Sequence, residues 1–429
     1  MTIASVIAGA MIGVVGGSFR WCLEQAENLR DKTIVWSHGN PYVGWLVPVV
    51  GVAVAVAIAR LLVIKLAPEA SGSGIHRVEA IMAGEIQPAN DLVLSVKYVG
   101  GLLSLGSGMA LGREGPTVQM GASIGHIIAP WFVRNKDDER VVLAAGAGAG
   151  LAVAFNAPIG GSVFVFEELT TSFTPWLLVA TLSATVFAVG VMRWMIGNQY
   201  VFFVIPDVTP KQSVVWWFLL LGAVLGVAGA AYNLLSLRLL DLTEKFAKYP
   251  AVVRSAFIGG AVGLVAFFAP ALVGSGDSLT QSILSNKVPL HALGVVFIVR
   301  FLLGPWSYTA ETPGGMFAPL LLVGTAFGAF FGGVAHHYIP NLQASNVDFA
   351  IVGMVALFAA SVRAPLTGIV LAIEMTGRGD LTLGMLGAAL GATLTAMALQ
   401  SPPIYQSLRE RMLIREKREA ANGVVQAKA

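Results

Sequence analysis

Three glycine-rich stretches carry side chains that can hold or move charge: Gly72-Ser73-Gly74, "GREGP" (Gly112, Arg113, Glu114, Gly115, Pro116) and "GGMFAP" (Gly314 to Pro319). Each interrupts apolar sequence and precedes more of it, so each is expected to open a helix whose first backbone N–H groups lack internal partners. Free donors and the helix dipole together attract anions. If the three ends converge they form a cage for a small anion without a full cationic side chain, and such distributed attraction lets the ion leave again. Two hydroxyls could add donors: Ser73 within the first stretch, and Tyr405 after Pro402-Pro403, where proline favours a first helical turn. For Tyr405 taken alone, an ordinary interfacial tyrosine is the competing reading.

The carboxylates are sorted by an internal repeat. Gly72-Ser73-Gly74 recurs as Gly274-Ser275-Gly276 at an offset of 202, and Gly112, Pro116, Gly121 and Gly125 recur as Gly315, Pro319, Gly324 and Gly328 at 203. "NAPIGGSVFVFEE" (Asn156 to Glu168) matches "RAPLTGIVLAIEM" (Arg363 to Met375) at 207, and Lys97 matches Arg300 at 203. On this alignment Glu167 is kept as Glu374, which reads as structural, whereas Glu114 faces Phe317 and Glu168 faces Met375. An acid present in one copy only is not demanded by the scaffold. In apolar surroundings it is a functional candidate, to be paired, protonated or hydrated. Arg113 adjoins Glu114, but neighbouring helical residues point in different directions, so direct pairing between them is disfavoured.

The elements that must position these residues are transmembrane helices. Of 429 residues, 56% are hydrophobic and 12% charged, about half the charge of an ordinary soluble domain. Uncharged runs such as Val141 to Phe166, Leu169 to Met192 and Thr312 to Val347 approach or exceed the roughly 20 residues that span a bilayer as a helix. They are too long and unalternating for barrel strands. The sequence therefore predicts an all-α polytopic membrane protein with one transmembrane domain over 1–415, repeat halves near 1–200 and 201–415, and a tail over 416–429. Repeated helices broken by Gly and Pro point to a transporter with its site near the midplane. The first segment, lacking a basic leader region, is expected to be a retained helix, and the single Cys22 excludes an internal disulfide framework. Arg409, Arg411, Arg415, Lys417 and Arg418 place the tail in the cytoplasm by the positive-inside rule and suggest lipid headgroups, not nucleic acid.

With these motifs in hand the chain resembles the CLC family of chloride channels and proton-coupled chloride transporters. "GSGIH" stands for the family's GSGIP, "GREGP" is intact, "EE" falls at Glu167 and Glu168, "GGMFAP" matches GxFxP, and Tyr405 follows the last break. The resemblance implies two halves of inverted topology with broken and re-entrant helices. It also implies a homodimer with one pathway per subunit in a cell membrane, that of the bacterial inner membrane type, and chloride and protons as the transported partners. Ser73 and Tyr405 would give hydroxyls to the central chloride and Met316 and Phe317 backbone N–H groups, with Gly72, Gly74, Gly112, Arg113, Gly115, Pro116 and Gly315 supporting the loops. Glu114 would be the gating glutamate, a tethered anion released by protonation, and Glu168 the internal glutamate that relays protons in the exchangers. No cofactor, metal or enzymatic activity is implied.

Two departures qualify the match. His76 stands where proline is usual, adding a group that titrates near neutral pH, and Ser172 replaces a longer polar side chain four residues after Glu168. An uncoupled anion channel is the nearest rival. An intramembrane hydrolase using Ser107, between Gly106 and Gly108, finds no supporting spacing, and His336 and His337 read as membrane-edge residues.

Overall fold

A computed structural model describes residues 1–40, 42–88, 90–170, 172–205, 210–339 and 342–428, side chains of 212 and 419–428 excepted. Of the tail expected over 416–429, the side chains from 419 onward and residue 429 thus lie outside the described residues.

Among the described residues the chain is predominantly helical, and its α-helices fall into two successive sets of eight. The first set is α1 (Thr2–Ser37), α2 (Leu46–Leu66), α3 (Ile75–Met82), α4 (Leu92–Gly106), α5 (Glu114–Ile128), α6 (Lys136–Phe155), α7 (Pro158–Phe164) and α8 (Pro175–Ile196). The second is α9 (Val215–Lys245), α10 (Ala251–Phe268), α11 (Asp277–Leu284), α12 (Leu290–Tyr308), α13 (Phe317–Tyr338), α14 (Asn346–Val362), α15 (Pro365–Thr376) and α16 (Thr382–Ala398). A seventeenth helix, α17 (Ile404–Lys428), belongs to neither set. Among the described residues, eight helices are long and apolar enough to cross a membrane. By contrast α3 and α11, with 8 residues each, extend only about 12 Å, less than half of a hydrocarbon core. They are half-helices that end inside the fold.

Local sequence explains the breaks. Gly74 and Gly276, at φ 86° and 99°, take the left-handed conformation just before α3 and α11, which a side chain would oppose. At the Ala-Pro motifs, α6 and α14 stop on left-handed Asn156 and Arg363, and Pro158 and Pro365 start α7 and α15 at a position where no N–H is needed.

The two sets are related by a local two-fold axis that inverts one against the other. Gly112 and Gly315 exchange backbone hydrogen bonds of 2.7 and 2.8 Å in an isolated antiparallel bridge. α2 and α10 cross in opposite directions: Gly259 packs on Val56 and Gly263 on Pro48. The end of α2 and the end of α10 therefore reach opposite faces. Glycines close the crossings within each set, since a Cβ on Gly121 would meet the Gly146 carbonyl at 2.2 Å and one on Gly324 the Gly353 carbonyl at 2.4 Å. Such contacts between bare backbones are how membrane helices pack most tightly.

Buried charge holds the turns. Lys97, with no exposed surface, donates to the carbonyls of Gly72 (2.7 Å) and Ser73 (3.1 Å). Its counterpart Arg300, equally buried, donates to those of Leu272, Gly274 and Ser275. Helix starts are exchanged between sets as well. Glu167 accepts from Leu366 N, Thr367 N and the Thr367 hydroxyl on α15, while Glu374 accepts from Ile159 N and Gly160 N on α7. The acid pair kept in both copies thus caps the opposite copy's broken helix.

Candidate functional site

Four helix N-termini supply the predicted residues. Ser73 lies in the turn before α3, Glu114 opens α5, Met316 and Phe317 open α13, and Tyr405 lies in the first turn of α17. All five are buried. Phe317 is clasped by the rings of Phe155 and Phe358, whose centroids lie at 5.1 and 4.3 Å. That packing fixes the backbone of the first turn of α13.

The Glu114 carboxylate is seated on the start of α13. Its Oε1 accepts from Ala318 N at 2.9 Å. Glycines make room for it: a Cβ at Gly112 would lie 2.1 Å from Oε1, and one at Gly315 would lie 3.0 Å from it. Gly115 plays the same part for the neighbouring loop, because a Cβ there would stand 2.5 Å from the Ser73 hydroxyl. Pro116 follows within the first turn of α5, where its missing donor costs little. The Thr117 hydroxyl accompanies this turn, donating to the Glu114 carbonyl at 2.9 Å.

Three buried polar atoms here lack a hydrogen-bond partner among the described residues: Ser73 Oγ, Tyr405 Oη and Glu114 Oε2. Two are donors and one an acceptor. Buried polar atoms of this kind are normally satisfied, and together with the α13 N-terminus they fit a small anion beside a tethered carboxylate. Arg113 does not pair with Glu114. It donates from Nε to the Ala154 carbonyl at 3.1 Å and forms an ion pair with Asp277 at 2.9 Å.

Glu168 lies in a π-helical turn, Val165–Leu169, that continues α7. Its carboxyl is hydrogen-bonded to that of Glu79 on α3, a residue the sequence reading missed. The signal was present, because offset 202 pairs Glu79 with Gln281, another acid in one copy only. Glu114, Tyr308, Glu168 and Glu79 all act electrostatically on Tyr405, so the central hydroxyl lies within the field of both carboxylate sites. Tyr308 is a second missed residue; its hydroxyl accepts from Ser73 N at 3.4 Å. Ser172 is exposed, beyond the π turn, so its spacing of four from Glu168 does not place both on one helical face.

A cavity of about 370 Å³ opens beside the turn, lined in part by Arg60, Gly72, His76, Arg77, Tyr308 and Arg415. His76 Nδ1 is buried there without a partner among the described residues. α17 borders this cavity and is strapped over it by Arg77–Glu416, Arg409–Glu85 and Arg415–Glu311 ion pairs. The bidentate Arg409 guanidinium holds the Glu85 carboxyl below the usual carboxylate range. Ser107 spends its hydroxyl on the Ser104 carbonyl at 2.9 Å, which leaves the hydrolase reading without its nucleophile geometry.

Fold and comparisons together define a polytopic helical transport protein of two inverted repeats, with a buried cluster of unpartnered polar atoms between them. Residues 55–397 match the voltage gated chloride channel family, and the chain belongs to it. It is 39% identical over 419 residues to the H(+)/Cl(-) exchange transporter ClcA of Vibrio cholerae, covering 96% of this chain and 90% of that protein. To the ClcA of Salmonella typhimurium it is 35% identical over 426 residues, covering 97% and 89%. A slow cyanobacterial Cl-/H+ antiporter of known structure superposes with a TM-score of 0.91 at 33% identity, over 97% of this chain and 98% of that one.

Proposed function

We propose that this protein exchanges chloride for protons across a bacterial inner membrane as a homodimer, each subunit with its own pathway. One observation carries this reading: the Glu114 carboxylate occupies the N-terminus of α13, the kind of place an anion would take. In the proposed cycle an external proton neutralises Glu114 and the carboxyl leaves the α13 turn. Chloride then advances, held by Ser73, Tyr405 and the Met316 and Phe317 N–H groups. The proton passes on to the Glu168–Glu79 pair, where two carboxyls in contact favour sharing a proton over double ionisation. From there it reaches the α17 face, which we place in the cytoplasm on the basic residues of that helix. The names of the relatives support exchange in place of an uncoupled channel, as does the presence of Glu168.

Reversal potentials under combined chloride and pH gradients test the proposal. Exchange requires the potential to move with both gradients. A potential that follows chloride alone at every pH selects the channel.

A further inference from the structure

The Arg113–Asp277 ion pair joins the two copies at the face opposite α17, and nothing in the exchange cycle above uses it. Arg113 is the cap residue of α5, directly before Glu114, and Asp277 is the first residue of α11. The pair is 2.9 Å long, with the side chains 14% and 31% exposed, so outer water reaches it while Glu114 beside it is fully buried. In the repeat Asp277 faces Ile75. Like Glu114, Glu168 and Glu79, it is an acid that the scaffold does not require.

Several charges face this pair. Arg20 and Glu27 of α1 and Arg300 of α12 lie within the field of this pair, and Glu24, Arg30 and Asp31 of α1 act in turn on the first two. The cations among them have other engagements: Arg20 donates to the Val153 carbonyl, Arg30 pairs with Asp31, and Arg300 serves three carbonyls of the Gly274 turn. Asp277 is the carboxylate that meets Arg113, and both Arg113 and Asp277 act electrostatically on Glu114.

We propose that Asp277 is a positioning residue of the outer gate: it tethers the Arg113 guanidinium and cancels its charge beside Glu114. This rests on the exchange reading, in which Glu114 takes its proton from that face. With Asp277 intact, the gate carboxylate sees a neutral pair and can take its proton from outer water. With its charge removed, Arg113 stands uncompensated at the mouth. Glu114 then holds its negative charge more firmly, and outer anions are drawn in more strongly.

The test is Asp277→Asn and Asp277→Glu in the reconstituted full chain, with transport measured in planar bilayers while pH and chloride are varied on one face at a time. For a unit charge several ångströms away in a partly hydrated mouth, the Asn variant should shift the outer-face pH profile acidward by about half a unit. Its half-saturating outer chloride should fall about two- to threefold, while the pH profile of the α17 face stays where it was. Asp277→Glu should keep the wild-type profile. The proposal is overturned if the Asn profile superimposes on wild type, if Asn and Glu shift alike, or if both faces shift together. Failure of the exchange reading is separately visible: wild-type protein would show a reversal potential that ignores the proton gradient, whatever the variants do.

Discussion

Oε1 of Glu114 accepts a hydrogen bond from the backbone N–H of Ala318 at 2.9 Å, so an acid from the first repeat closes the helix start of the second. Oε2 of the same carboxylate has no partner among the described residues, and the bond is therefore a seat that can be vacated. Glu114→Gln removes the charge and keeps the shape. Chloride flux through this variant is expected to lose its dependence on outer pH and to run without proton transport. A pH-dependent flux in Glu114→Gln would take the gate away from this residue.

Neighbouring acids separate by role. Glu167→Gln should weaken its three bonds to the start of α15 and cost about 1–3 kcal/mol of stability, with exchange unchanged in the protein that folds. Glu168→Gln should leave chloride flux and stability near wild type and lose most proton coupling. Thermal unfolding in detergent and coupled flux measurements distinguish them, and an exchange defect confined to Glu167→Gln would reverse the assignment.

Glu79→Gln tests the carboxyl pair. With one acid of the pair gone, proton delivery from the α17 face should slow at least about fivefold while chloride flux is largely kept. Wild-type proton rates in this variant would make Glu79 a bystander.

Buried and exposed charges should behave oppositely. Lys97→Met strands the Gly72 and Ser73 carbonyls in a dry site and is expected to cost about 1–3 kcal/mol for each carbonyl, seen as loss of folded protein. The partly exposed Arg409–Glu85 strap is different. Glu85→Gln should change chloride affinity less than about threefold at neutral pH. Because the Glu85 carboxyl is held low in the fold, its contribution to stability is complete above the ordinary carboxylate range and is lost as pH falls through the lowered value. Chloride titrations at neutral pH check the first statement and thermal unfolding in detergent at neutral and acid pH the second, and a large effect of Glu85→Gln on chloride affinity or a pH-independent stability difference would contradict them.

Much of this was legible in the sequence because the repeat is written in residues with narrow uses. Gly112 and Gly315, matched by offset, lie on the two-fold axis. Glu167 and Glu374, matched likewise, exchange helix starts, and Lys97 and Arg300 hold equivalent turns. The same comparison singled out Glu114 and Glu168. It was not carried to Glu79 and Asp277, which sit opposite Gln281 and Ile75, because the repeated Gly-Ser-Gly turn ends just before the two short helices and the helices themselves share almost no residues. Inversion itself was not legible from identity, since matching residues carry no direction. It emerges from the antiparallel Gly112–Gly315 bridge and the antiparallel crossing of α2 and α10. Ser172 shows the converse limit: a spacing of four implies a shared face only while the helix continues, and here a π turn ends first.

Proton pumping measures the central claim most directly. Vesicles holding the wild-type protein, given an outward chloride gradient and no pH gradient, should move protons inward against a growing proton gradient, and collapse of the chloride gradient should stop the movement. Glu168→Gln vesicles under the same gradient should pass chloride with little proton movement. Chloride efflux from wild-type vesicles with no uphill proton transport would contradict the account.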